Sequence, residues 1–193
     1  PDTGMPYEES FLRRLYDGCR VSASRWGRTE TWRPDGQDFH FMRSGCHSTY
    51  TAASVLRDLS DVLALVNPDT VYVTAPGDCH GDHDALGRFT TQAVAAMENP
   101  PALYYYLIHA DRTDIWPERD AERFRLPPMA ADHPLLRCAA ERRPLPDGFP
   151  PAEKYSLIQS YTSQDPAAYN GYLLAFAKND ELVFRVERLP SRT

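Results

Sequence analysis

The stretch from Val71 to Phe89 reads VYVTAPGDCHGDHDALGRF, and its reading decides the fold. An apolar, β-branched run enters it, a Gly/Asp-rich turn carries His80 and His83, and a helical pattern through Leu86 and Phe89 leaves it. That order of signals is a strand, a loop and the start of a helix. In open α/β sheets ligands sit in the crevice beyond the carboxyl ends of the strands, so the two histidines stand where chemistry is expected.

Working outward, Thr49-Tyr50-Thr51 opens a helix whose face of Val55, Leu59, Val62, Leu63 and Val66 runs to a stop at Asn67-Pro68-Asp69. A strand over Thr70 to Thr74 follows. The helix from about Gly81 buries Leu86, Phe89, Ala93, Val94 and Met97, ends at Asn99-Pro100-Pro101, and gives way to a strand from Ala102 to His109. This alternation predicts an α/β fold: a Rossmann-like parallel sheet flanked by helices. On the amino-terminal side, the spacing of Phe11, Leu12, Leu15, Tyr16 and Cys19 predicts a helix between Pro6 and Trp26, stopped by Gly27. Short strands are expected at Thr29 to Arg33 and Phe39 to Met42, around the turn Pro34-Asp35-Gly36.

From Asp111 to Pro151 the pattern changes, with eight of the chain's seventeen prolines in that stretch. A connection this long inside a compact domain is usually functional or disordered, so an irregular excursion near the mouth of the site is expected. Regularity returns in Ala152 to Gln164 and Ala167 to Lys178, and a strand from Glu181 to Val186 closes the fold. The 193 residues read as one domain.

Composition narrows the function classes. A net charge of −6 with scattered Lys and Arg gives no basic stripe for nucleic acid, and no run approaches the ~20 apolar residues of a membrane span. Cys19, Cys46, Cys79 and Cys138 contain no CxxC pair, which excludes a zinc knuckle or thioredoxin-type site and favours reduced or buried thiols. With no signal peptide, the expected compartment is the cytoplasm. The opening PDTGMPYEES, without an initiating Met, reads as an interior segment.

His80 and His83, at i and i+3 of a helix start, point to one side and can converge on one ligand. Asp78, Asp82 and Asp84 around them can bind a cation or orient an imidazole through its second nitrogen. The same spacing also suits local capping and turn hydrogen bonds. His109, at the end of the next strand, either lines the same crevice or is a satisfied structural histidine. Arg88 either binds a substrate anion or forms a salt bridge. Loop-borne Trp116 is a candidate for stacking on a sugar face, as are Tyr104, Tyr105 and Tyr106, although an aromatic strand is more often core. His47 could reach the site from its loop. His40 is expected at the surface, and His133, before Pro134, has no assigned role. Cys79 is a possible soft ligand.

The longer stretch VNPDTVYVTAPGDCHGDHDALGRF resembles the second motif of the PIG-L/LmbE-like family of zinc-dependent N-deacetylases, an HPDH-type core between a strand and a helix. Here the core is His80-Gly81-Asp82-His83, followed by Ala85-Leu86-Gly87-Arg88-Phe89. Weaker similarity extends to Thr49-Tyr50-Thr51, the YLIHA run through His109, Trp116-Pro117, Tyr161 to Gln164, and Asn179 to Phe184. The resemblance implies zinc as cofactor, His83 as a metal ligand, His80 as an imidazolium serving the oxyanion or leaving amine, and Asp82 as a partner tuning the turn. It implies hydrolysis of an N-acyl group, N-acetyl foremost, from an amino-sugar-containing substrate or glycoconjugate.

The family's first motif, an AHPDDE-like segment, has no counterpart, because no HxDD or HxDE occurs in the sequence. The resemblance therefore implies a sheet without its first strands and a partner, either an amino-terminal fragment or a separate chain, that carries an HxDD motif. The general base has no assignment in this chain. The alternative expectation is a non-catalytic glycan-binding module that has lost the metal site.

Overall fold

The computed structural model describes residues 7–18, 21–33, 37–110, 115–162 and 171–190. Its centre is the predicted unit. Helix α3 (Ala52–Val66) starts where the Thr51 hydroxyl accepts the Ser54 N–H at 3.1 Å, and ends where Asn67 turns left-handed at φ 45°. Strand β1 (Thr70–Thr74), helix α4 (Gly81–Ala96) and strand β2 (Ala102–Tyr106) follow, with β1 and β2 parallel in the register Thr70 to Ala102 through Thr74 to Tyr106. Strand β2 stops three residues short of His109, leaving that histidine on the loop beyond its carboxyl end.

The sheet is mixed rather than parallel. Strand β4 (Asp180–Arg185) runs antiparallel to β2, and β3 (Ala139–Pro144), inside the stretch expected to be irregular, runs antiparallel to β4, giving the order β1-β2-β4-β3. The cause is visible in β3: its residues alternate between partly buried and exposed, as suits a strand with one wet face, and it closes on Pro144. Its sequence, AAERRP, has little intrinsic strand preference, so pairing with β4 makes it a strand.

Further expectations change. The first helix is only α1 (Phe11–Tyr16), preceded by a 3-10 turn at Tyr7–Glu9, because Gly18 at φ 97° breaks it well before Gly27. Phe39–Ser44 is a short helix, α2, not a strand: Asp38 accepts the Phe41 N–H at 2.9 Å and Gly45 closes it at φ 76°, so the caps override the alternation of aromatic residues. The strand expected over Thr29 to Arg33 is reduced to a single bridge between Glu30 and Thr49, and the turn at 34–36 lies outside the described residues. Helix α5 (Pro151–Gln159) is shorter than expected. Of Ala167 to Lys178, the described part holds a 3-10 turn at Leu173–Phe176.

Helix α4 packs against β1 and β2, with α1 and α3 on its outer side. Phe89 and Val94 are fully enclosed there, each burial contributing about 1.5–3 kcal/mol. Two glycines let the layers meet. A Cβ on Gly87 would stand 2.4 Å from the Thr74 carbonyl oxygen, and one on Gly81 would stand 2.1 Å from the Tyr7 carbonyl oxygen. The loop between β1 and α4 is thus clamped against the sheet on one side and the amino-terminal segment on the other. No helix among the described residues is long and apolar enough to cross a membrane.

Candidate functional site

The clamp presents a histidine cluster at the carboxyl ends of the two parallel strands. His80 is the residue before α4 and His83 lies in its first turn; their ring centres are 4.5 Å apart. His109 stands 5.4 Å from His83 and 5.9 Å from His80, roughly parallel to both, and Tyr172 stacks on its other side at 5.4 Å. The Tyr172 hydroxyl donates to the Ile108 carbonyl, holding the loop that carries His109.

Beneath the rings lies Asp78, 1% exposed. Its Oδ1 accepts the His80 N–H at 2.8 Å and faces His83 Nδ1 at 3.2 Å; its Oδ2 accepts the N–H groups of Ile108 at 3.0 Å and His109 at 3.1 Å. Burial alone would raise its pKa. The His83 hydrogen bond and charge, with the His80 and His109 backbone donors, outweigh burial and hold the carboxylate below its ordinary range. One ionised side chain thereby ties the end of β1, the start of α4 and the end of β2 together.

The hydrogen bonds give the two neighbouring imidazoles opposite tasks. With Nδ1–H donated to Asp78, His83 presents the lone pair of Nε2. His80 Nδ1 accepts the Asp82 N–H at 3.3 Å, so the proton of its neutral ring is on Nε2. Burial, then the proximity of His83, lowers the His80 pKa and favours that neutral ring. An acceptor and a donor therefore stand side by side.

The remaining candidates are placed as follows. The Asp82 Oδ1 accepts the Leu12 N–H at 2.7 Å, tying α1 to the first turn of α4. Arg88 binds Asp84 through Nε at 2.9 Å, on the side of α4 that receives Tyr7 and Arg13. Trp116 is 4% exposed, packs against Phe124 and Phe176, and donates Nε1–H to the Arg125 carbonyl at 3.0 Å. Of the six site candidates, the structure thus gathers His80, His83 and His109, with Asp82 at the edge, and sets Arg88 and Trp116 elsewhere. His47 pairs with Asp38 at 2.5 Å, away from the cluster. His40 is buried rather than superficial, bound to Asp58 at 2.5 Å. His133 supports the turn from behind, its Nε2 at 3.2 Å from the Gly77 carbonyl.

The sequence singles out Asp82 through the resemblance, whereas in the structure Asp78 holds the histidines and Asp82 is taken by Leu12, and Tyr172 is not among the sequence's candidates. Nothing local marks that tyrosine, whereas the Asp78-x-His80 spacing, which lets a carboxylate take a backbone N–H two residues on, was a usable signal.

As a zinc ligand His83 fits, because metal-bound imidazoles characteristically donate their other nitrogen to a carboxylate. The rest of a zinc site is not supplied: among the described residues no group of three or more His, Cys, Asp or Glu side chains is placed to hold a metal ion. Compared with models of protein families, with curated proteins and with solved structures, the chain matches none.

Proposed function

We propose that the chain carries the histidine part of an amide hydrolase that removes an N-acyl group, N-acetyl foremost, from an amino-sugar-containing substrate. The observation that carries this reading is the pairing of an Asp78-anchored acceptor, His83 Nε2, with an adjacent donor, His80 Nε2–H, at the carboxyl ends of parallel strands. Amide hydrolysis needs both: something to hold or activate water, and a donor aimed at the oxygen where negative charge develops. The resemblance of the His80-Gly81-Asp82-His83 core to the zinc-dependent N-deacetylases supports the same chemistry.

In this reading zinc, when bound, supplies an activated water, and His83 is the ligand this chain contributes. His80 donates Nε2–H to the developing oxyanion in its resting neutral form, which differs from the imidazolium that the resemblance implies. Asp78 fixes the His83 ring and its tautomer. His109 and Tyr172 wall the cluster opposite α4. Strand β1 pairs only with β2 among the described residues, which is compatible with a Rossmann-like sheet continued by a strand from an HxDD-bearing segment.

The test is acetate release from an N-acetylhexosamine conjugate by the chain together with a polypeptide carrying the HxDD motif, alongside metal analysis. His83→Ala should abolish turnover and lower zinc stoichiometry. His80→Ala should lower turnover by about 10²–10³ and leave zinc in place. Unchanged zinc content in His83→Ala refutes its role as ligand; turnover unaffected by either variant refutes the hydrolytic reading.

A further inference from the structure

The sheet face opposite α4 holds a cleft that borders the histidine cluster. The Thr91 hydroxyl meets the Tyr105 hydroxyl at 2.5 Å, so Tyr105 faces α4, and Tyr104 and Tyr106 face the other way. On that other side lies a cavity of about 560 Å³, walled by Tyr72, Tyr106, Trp116, Phe124 and Phe176 and by Ile158 of α5. This volume falls within the range that small-molecule sites occupy, and a largely apolar lining is their usual chemistry.

Ile108, just beyond β2, belongs to both places. It lines the cavity, while its N–H donates to Asp78 Oδ2 at 3.0 Å and its carbonyl accepts the Tyr172 hydroxyl. Phe176, on another wall, meets the Tyr172 ring edge-on at 5.7 Å, and Tyr172 stacks on His109 at 5.4 Å. Cleft and cluster therefore share a border made of Ile108 and Tyr172, and the cleft begins one residue from His109.

The charges of the cleft are settled within the protein. Lys154 Nζ pairs with Glu181 Oε1 at 2.5 Å and Arg143 Nη2 with Glu141 Oε2 at 3.2 Å, so each cation on the lining has its own carboxylate. A charged ligand would be desolvated here without an unpaired countercharge to receive it. The walls suit an uncharged apolar group, and the volume is far more than an acetyl group fills.

We propose that the cleft receives the acyl chain of the amide substrate, an uncharged alkanoyl chain longer than acetyl, with its carbonyl at the Ile108–His109 border. The inference rests on the hydrolytic reading and narrows its substrate class.

Calorimetric titration of the purified chain with N-octanoylglucosamine and N-acetylglucosamine tests it. The octanoyl compound should bind at least about a hundredfold tighter, since each buried methylene contributes roughly fourfold. Ile158→Trp, which fills the cleft, should remove that preference, with circular dichroism to check that the variant is folded. Nitrogen-15 spectra of the imidazoles should show His109 and His80 shifting as N-octanoylglucosamine binds. Equal affinity for the two sugars, a chain-length preference that survives Ile158→Trp, or binding that leaves the cluster's imidazole signals in place overturns the proposal. Neither measurement needs zinc or turnover, so a failure of the hydrolytic reading shows itself separately, in the release assay.

Discussion

Two regions of the molecule pair histidine with aspartate, and they do different work. In the turn between β1 and α4, Asp78 is enclosed and receives three backbone N–H groups besides His83, two of them from a loop thirty residues away in sequence. Around α2, Asp38 caps its own helix through the Phe41 N–H and takes His47 at 2.5 Å, while His40 ties the same short helix to Asp58 of α3. The pairing itself is common to both. What separates them is reach: Asp78 gathers groups from the start of α4 and from the loop beyond β2, and among the described residues further imidazoles stand beside that pair. The Asp78 carboxylate is held by groups about thirty residues away in sequence, whereas Asp38 is held by its own helix turn and by a histidine close by in the chain.

The largest expected difference comes from deleting each carboxylate. Asp78→Ala leaves the Ile108 and His109 donors without acceptors in a closed site and should cost about 3–5 kcal/mol of unfolding free energy. Asp38→Ala loses a helix cap and an ion pair nearer the surface and should cost about 1 kcal/mol. Urea denaturation measures both. Equal losses would erase the distinction between the two regions.

How much of this was legible depended on whether the cause was local. The strand, turn and helix from Val71 onward follow from period, β-branching and caps that sit within a few residues of one another, and they stand where the sequence put them. His80 and His83 were visible for the same reason. Strand β3 was not, because its residues form a strand only through pairing with β4, some forty residues later. Nor was α2, whose Asp38 and Gly45 caps were hidden behind an aromatic alternation. Within the site, choosing Asp78 over Asp82 and Asp84 required knowing that β2 returns Ile108 and His109 to it. Asp84 meanwhile is claimed by Tyr7, Arg13 and Arg88, and Asp82 by Leu12.

A second contrast uses glycines. Gly81 has the backbone and side chain of the amino-terminal segment against it, with Ser10 Oγ 2.0 Å from where a Cβ would stand. Gly81→Ala should cost about 1–3 kcal/mol and loosen that segment, read as faster proteolysis near Tyr7. Gly45, at the end of α2, has nothing within 4 Å but a φ of 76°, so Gly45→Ala should cost about 1–2 kcal/mol with no change at the amino terminus. Proteolysis near Tyr7 that responds to Gly45→Ala and not to Gly81→Ala would show that the clamp lies elsewhere.

Acid should weaken both regions. Burial opposes ionisation of Asp38, but the Phe41 N–H, the Thr31 hydroxyl and His47 hold its pKa at about 2, below the usual 3.8. A carboxylate depressed in the folded state stabilises above its unfolded pKa, and that contribution is lost as pH falls from about 4 through about 2. Because Asp38 is partly exposed, solvent screening keeps its share to about 1 kcal/mol. Asp38→Asn should therefore flatten part of the fall in stability below pH 4 and leave the remainder, which belongs to Asp78 and Asp84, both also depressed. An unaltered acid profile in that variant would contradict the assignment.

The smallest effect lies at the alkaline end and separates the two sides of the clamp. Burial, followed by the hydrogen bond at 2.7 Å to Asp84 and the charge of that carboxylate, raises the Tyr7 pKa to about 12. Burial is also the leading cause for Tyr50, which packs edge-on against Phe11 and lacks that hydrogen bond. A phenol whose pKa is raised by folding loses its stabilising share as pH climbs from about 10 through about 12, since the folded chain binds the extra proton. In an ultraviolet titration, Asp84→Asn should bring one late-ionising tyrosine back toward the ordinary range. The Tyr50 transition should stay in place. Movement of both would mean that Asp84 acts by holding the whole amino-terminal segment closed; movement of Tyr7 alone would confine its influence to the anchor it makes with Tyr7 and Arg13.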